Sequence, residues 1–91
     1  MIRQVIEVEN RLGLHARAAA KLVRMVSTFH SRVTIGRDGD AETVSGDSIL
    51  GILMLAAPQG SRLIFLIEGT DEVEASQAIR KLFAERFGED S

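Results

Sequence analysis

Residues 12–20 read Leu-Gly-Leu-His-Ala-Arg-Ala-Ala-Ala, placing a histidine where a turn becomes a helix and an arginine two residues later. Gly13 permits a tight turn, and the alanine-rich run after His15 favours helix. The imidazole should therefore stand beside the unpaired N–H groups at the positive end of a helix dipole, a ready anion site. Arg17 adds a permanent charge with a planar fork of donors suited to phosphate oxygens. A nucleophile with two independent means of stabilising negative charge is the chemistry of holding a phosphoryl group on a ring nitrogen. A lone histidine at a helix start is more often a solvated end residue; the company of Gly13 and Arg17 is what argues for chemistry here.

The rest of the composition removes competing classes. With 91 residues the chain fits one small domain spanning residues 1–91, too small for an elaborate enzyme. The absence of cysteine excludes disulfides, thiolate catalysis and cysteine-ligated zinc. The two histidines, His15 and His30, have no local carboxylate cluster, so neither a metal nor another cofactor is expected. A net charge of −2 and aromatics that are all phenylalanine argue against nucleic-acid binding. No apolar run is long enough for membrane insertion and no secretory signal is evident at the start, so a cytoplasmic location is expected. Arg11, Arg17, Lys21 and Arg24 gather around His15, while Asp71, Glu72, Glu74, Glu85, Glu89 and Asp90 lie late in the chain. A basic rim of this kind would steer acidic partner surfaces toward the histidine.

The elements that must position this segment follow from hydrophobic spacing. Residues 2–8 alternate as a strand with Ile2, Gln4, Ile6 and Val8 on one face. Asn10 to Gly13 form a loop, and Ala19, Leu22, Val23 and Val26 recur at helical spacing from Ala16 to about Thr28. Phe29 should pack beneath the helix end, with His30 at the surface. Arg32–Gly36 and Ala41–Val44 form a hairpin around Arg37-Asp-Gly-Asp. A short helix begins at Ile49, capped by Asp47 or Ser48, and ends before Pro58. Leu63 to Ile67 is an apolar strand in which Leu63, Phe65 and Ile67 should face the core, leaving Ile64 and Leu66 with Val5 on an open face. A last helix opens at Thr70 with Asp71 and Glu74 in capping-box spacing, burying Ala75, Ala78, Ile79, Leu82 and Phe83; the tail after Phe87 should fray. The order βαββαβα implies an α+β fold, with one layer of three helices on one face of a four-stranded antiparallel sheet.

The stretch around His15 resembles the signature of the HPr family, histidine-containing phosphocarriers of the phosphoenolpyruvate-dependent phosphotransferase system, written G-[LM]-H-[AT]-R-P-A. Gly13, Leu14, His15, Ala16, Arg17 and Ala19 match, and Ala18 replaces the proline. The resemblance runs over nearly the whole chain and implies an open-faced β-sandwich. It implies that His15 accepts a phosphoryl group through Nδ1 from enzyme I and passes it to an enzyme IIA, in sugar uptake or nitrogen-branch regulation, with Arg17 stabilising the group. It further implies that Leu50 and Leu53 present apolar surface to partners beside the basic Lys21 and Arg24. Ser48 aligns with a regulatory serine used in some members by a kinase and phosphatase, although a helix cap explains it without one, and Asp47 would repel an added phosphate. Leu12, Leu53-Met-Leu55 and the extended tail tilt the resemblance toward the nitrogen-branch members, NPr. The alternative is an interaction module of the same fold that signals through Ser48 without phosphotransfer, which the presence of both His15 and Arg17 disfavours.

Overall fold

The computed structural model describes residues 1–89. Strand β1 (Ile2–Glu7) is followed by α1 (Ala16–Val26), β2 (Arg32–Arg37), β3 (Thr43–Ser45), α2 (Ile49–Met54), β4 (Arg62–Glu68) and α3 (Glu72–Ala84), with a terminal 3-10 turn over Arg86–Gly88. The four strands form one antiparallel sheet in the order β1-β4-β2-β3, and the three helices complete the expected α+β architecture.

Alternation in β4 resolves the fully apolar strand: Leu63, Phe65 and Ile67 are buried, and Ile64 and Leu66 are half-exposed on the other face. Val5 pairs with Ile64 across β1 and β4, as the open-face expectation requires. The buried face meets Ala18, Ala19, Leu22 and Val26 of α1, Ile52 of α2, and Ala75, Ile79 and Phe83 of α3. Phe83 is edge-on to both Phe65 (5.5 Å) and Phe87 (4.8 Å), so three rings join sheet, last helix and tail. Gln4 keeps its inward position because its amide donates to the Ser76 carbonyl (3.2 Å) and accepts from Arg80 (2.9 Å). Phe29 packs against the core and His30 is exposed, as expected.

Several boundaries differ from the sequence reading. The second hairpin strand covers Thr43–Ser45 instead of Ala41–Val44, and α1 stops at Val26. There the Ser27 and Thr28 hydroxyls donate to the carbonyls of Val23 and Met25. The capping box at Asp71 and Glu74 does not form. Asp71 accepts from the His30 N–H (2.8 Å) and the Ser31 hydroxyl (2.6 Å), donors from the α1–β2 turn that take the carboxylate away from its own helix. Glu72 instead reaches back to the Gly69 N–H (3.1 Å). Ala78 and Leu82, expected in the buried stripe of α3, are only half-buried, and Ser76 is buried there.

The loop before α1 is fixed against the segment after α2. Gly13 has φ +69°, and a Cβ there would stand 2.6 Å from the Ala57 carbonyl oxygen and 2.9 Å from Pro58 Cα. The next amide, Leu14 N–H, donates to that same carbonyl (3.0 Å). Two predictions follow from these ties. Gly13→Ala should lower unfolding free energy by on the order of 2 kcal/mol or more, because it adds left-handed strain to a backbone clash; denaturant titration measures this. For Asp71, the Ser31 hydroxyl and then the His30 N–H hold the carboxyl below its ordinary value, against opposing desolvation. A depressed folded pKa stabilises the fold above the unfolded pKa and loses that contribution as pH falls through the folded one. Asp71→Asn should thus be less stable than wild type at neutral pH, with the gap narrowing in strong acid, as denaturation at the two pH values will show.

Candidate functional site

His15 is the N-cap residue of α1, with extended backbone (φ −79°, ψ 179°). Its position follows from the loop below it: Gly13 N–H bonds the Asn10 carbonyl (3.1 Å), and His15 N–H bonds the Gly13 carbonyl (3.0 Å). Serine, threonine or aspartate usually caps a helix; here Nδ1 of the imidazole does so, accepting from the Arg17 N–H at 3.3 Å. Ala19 N–H closes the first intrahelical bond to the His15 carbonyl (2.9 Å), so beside the Arg17 amide that caps onto Nδ1 the amides of Ala16 and Ala18 are first-turn donors without a partner among the described residues. Ala18, fully buried, keeps an amide N–H that proline would lack. Nδ1 thus lies in the field of the helix end, worth about 0.3–2 kcal/mol to a nearby negative charge.

Across the ring, Nε2 is hydrogen-bonded to Glu89 Oε2. The other carboxylate oxygen accepts from Asn10 Nδ2 (3.0 Å), which also bonds the Gly13 carbonyl (2.7 Å). Asn10 is fully buried, and its Oδ1 has no partner among the described residues. Burial opposes ionisation of Glu89, but hydrogen bonds from the Asn10 amide and the His15 ring, with the positive charge of Arg17, outweigh it and hold the carboxyl below its ordinary value. The tail after Phe87 is therefore folded back onto the site through Glu89, and the expectation that it frays is corrected for those residues; Asp90 falls outside the described residues. The cause is Phe87, buried to 1% exposure against Phe83, which anchors the chain end.

The other sequence candidates lie along α1 and α2. Arg17 is exposed, and among the described residues no carboxylate lies within ion-pair distance of it. Lys21 and Arg24 follow Arg17 at helical spacings of four and seven, forming one basic stripe along α1. Lys21 is not free on that stripe, however, since Nζ donates to the Phe87 carbonyl (2.6 Å). On α2, Leu50 is 69% exposed, whereas Leu53 is half-buried against the core. Ile49, Met54 and Leu12, which the sequence reading did not assign to a partner surface, are exposed as well. Ser48 is the N-cap of α2, its hydroxyl accepting from the Gly51 N–H (3.0 Å), while Asp47 accepts from the Ser45 hydroxyl (2.6 Å). Asn10 and Glu89 were missed as site residues. A buried asparagine three residues before a glycine was at most a hint, and nothing local marks Glu89.

Comparison with known proteins agrees with this geometry. Residues 2–85 match the family model described as PTS HPr component phosphorylation site. The chain is 45% identical to phosphocarrier protein HPr of Xylella fastidiosa over the full length of both chains, and 44% identical to phosphocarrier protein NPr of Proteus mirabilis over 93% of each. The crystal structure of HPr from Thermoanaerobacter tengcongensis superposes with a TM-score of 0.93 at 38% identity, covering all of both chains. Among the described residues no helix is long and apolar enough to cross a membrane. With a capping histidine whose Nδ1 faces a helix N-terminus and a signature that matches at all positions but Ala18, the chain belongs to the HPr family of phosphocarrier proteins of the phosphotransferase system.

Proposed function

We propose that His15 accepts a phosphoryl group on Nδ1 from phosphorylated enzyme I and donates it to an enzyme IIA, with residues 1–91 acting as one domain in the cytoplasm. The observation that carries this reading is the placement of Nδ1 at the first turn of α1, facing the Arg17 N–H. Neutral imidazole is a competent nucleophile near neutral pH. A phosphoryl group on Nδ1 would lie where the first-turn amides and the Arg17 guanidinium can share its charge. Phosphoryl transfer needs positioning and charge stabilisation more than covalent machinery, so a shallow site suffices when the partner completes it. The half-exposed ring suits a carrier, which must release the group as readily as it takes it.

Docking is assigned to exposed Leu50 and the outer edge of Leu53 on α2, bordered by Arg17, Arg24 and, through its partly covered ammonium, Lys21. Exposed apolar side chains at the centre with basic groups at the rim suit an acidic partner surface. Ser48 is assigned to capping α2, since its hydroxyl is already engaged there and Asp47 adjoins it. A dedicated kinase and phosphatase are not needed to explain it. The carrier serves sugar uptake or nitrogen-branch regulation.

Incubation with phosphoenolpyruvate and enzyme I should yield a phosphoprotein that is labile in acid and stable in base; a product stable in acid would place the phosphate on serine. His15→Ala should abolish acceptance while changing stability by no more than about 1 kcal/mol, the worth of a helix cap, and a variant that still accepts phosphate would refute the assignment. Arg17→Ala should slow transfer by on the order of tenfold or more and not eliminate it, because the helix end remains. Leu50→Glu should weaken enzyme I binding by about tenfold or more with a stability change within about 0.5 kcal/mol, as expected of an exposed interface centre. Calorimetry of binding beside thermal unfolding separates the two effects.

A further inference from the structure

The geometry points to Glu89 as a positioning residue: its carboxylate, returned to the site by a left-handed reversal of the chain, holds the His15 proton on Nε2 and so presents the Nδ1 lone pair for transfer. The inference deepens the carrier reading and rests on it for its kinetic consequence, whereas the state of the resting ring can be measured on its own.

The reversal is built and not incidental. Arg86 (φ 55°), Phe87 (φ 56°) and Gly88 (φ 77°) are three consecutive left-handed residues, two of them not glycine. L-residues adopt that conformation in succession only when the surroundings compensate. Here Phe87 is buried against Phe83, and Lys21 Nζ donates to its carbonyl. Gly88 and Glu89 N–H groups bond the carbonyls of Glu85 and Arg86, each at 2.9 Å. The effect is to bring a side chain from one end of the sequence beside a loop near the other, with only 13% of the Glu89 side chain exposed.

The contacts then fix the proton. An ionised carboxylate has acceptors only, so the ring nitrogen facing it must carry hydrogen. Glu89 is kept ionised by the Asn10 amide, which is itself held by the Gly13 carbonyl. A neutral imidazole has a single N–H; with that proton on Nε2, Nδ1 is bare. The opposite side of the ring agrees, because Arg17 N–H points at Nδ1 and needs a lone pair there. A carboxylate acting through the far nitrogen of a histidine is a general way to set tautomer and orientation. In the transfer step the Nδ1 lone pair forms the N–P bond while the donor's bond to phosphorus breaks and its electron pair leaves with the donor atom. The proton stays on Nε2, and the positive charge gained by the ring is balanced by Glu89. Donation runs the same electrons backwards, with no proton to be moved in either direction.

The test is the ¹⁵N chemical shifts of the two His15 ring nitrogens in the unphosphorylated full chain, at a pH where the rings are neutral, with His30 as an internal control for the fold. Wild type should show the proton confined to Nε2. In Glu89→Ala the His15 shifts should move toward the averaged tautomers of a solvent-exposed imidazole while His30 is unchanged. The rate constant for acceptance should fall about tenfold at unchanged KM for the donor, the size of one lost hydrogen bond to a charged group. Glu89→Gln, whose amide oxygen still accepts from Nε2, should recover most of both. Unchanged His15 shifts in Glu89→Ala would overturn the proposal, as would a raised KM with an unaltered rate constant, which would place Glu89 in partner docking. Failure of the carrier reading would show separately, as a wild-type chain that takes up no phosphate whatever its nitrogen shifts.

Discussion

The site depends on one backbone tie, between the loop that precedes α1 and the segment that follows α2. Leu14 donates to the Ala57 carbonyl, and Gly13 passes that carbonyl so closely that no side chain can be accommodated. The left-handed glycine turns the chain, the amide locks it, and the next residue is the cap of α1. Because Ile52 anchors α2 in the core and Leu22 and Val26 anchor α1, the tie joins two helices already held by hydrophobic burial. The imidazole is thereby placed by the rigid part of the molecule, although its own ring is half-exposed.

Charge around the ring is arranged in opposition. On the Nδ1 side stand the amides of the first turn, whose helix end favours an added anion, and the exposed Arg17 of that turn adds positive charge to the site. On the Nε2 side stands a carboxylate, held ionised by Asn10. Each set is partial: one helix end, one solvated guanidinium, one carboxylate at the edge of the site. A phosphocarrier works between a donor and an acceptor, so a site that stabilised the phosphoryl group much more strongly would keep it. The modest size of every contribution suits passage in both directions.

Much of this was legible from local spacing. Gly13, His15 and Arg17 fall within five residues, and the helix start that unites them is encoded in the alanine run beside them. The strands and helices emerged in the right order because each buries one periodic face, and β4 could be oriented by alternation even though every residue from Leu63 to Ile67 is apolar. What escaped was contact between distant segments. Asp71 looked like a helix cap and instead binds His30 and Ser31, forty residues earlier in the case of Ser31. Lys21 looked like a free rim charge and instead holds the Phe87 carbonyl. Glu89 looked like part of a solvated acidic tail; its distance of 74 residues from His15 leaves no local trace, and only the burial of Phe87 explains why it returns. Leu50 and Leu53 could not be separated by helical spacing alone, since only the packing of α2 sets Leu53 against the core and leaves Leu50 exposed.

The most direct test of the account is heteronuclear NMR of the ¹⁵N-labelled chain after phosphorylation by enzyme I and phosphoenolpyruvate. The arrangement of the capping histidine requires that phosphorus couple through one bond to Nδ1 of His15. Coupling to Nε2, or a phosphorus signal from Ser48 with the His15 ring unmodified, would contradict it.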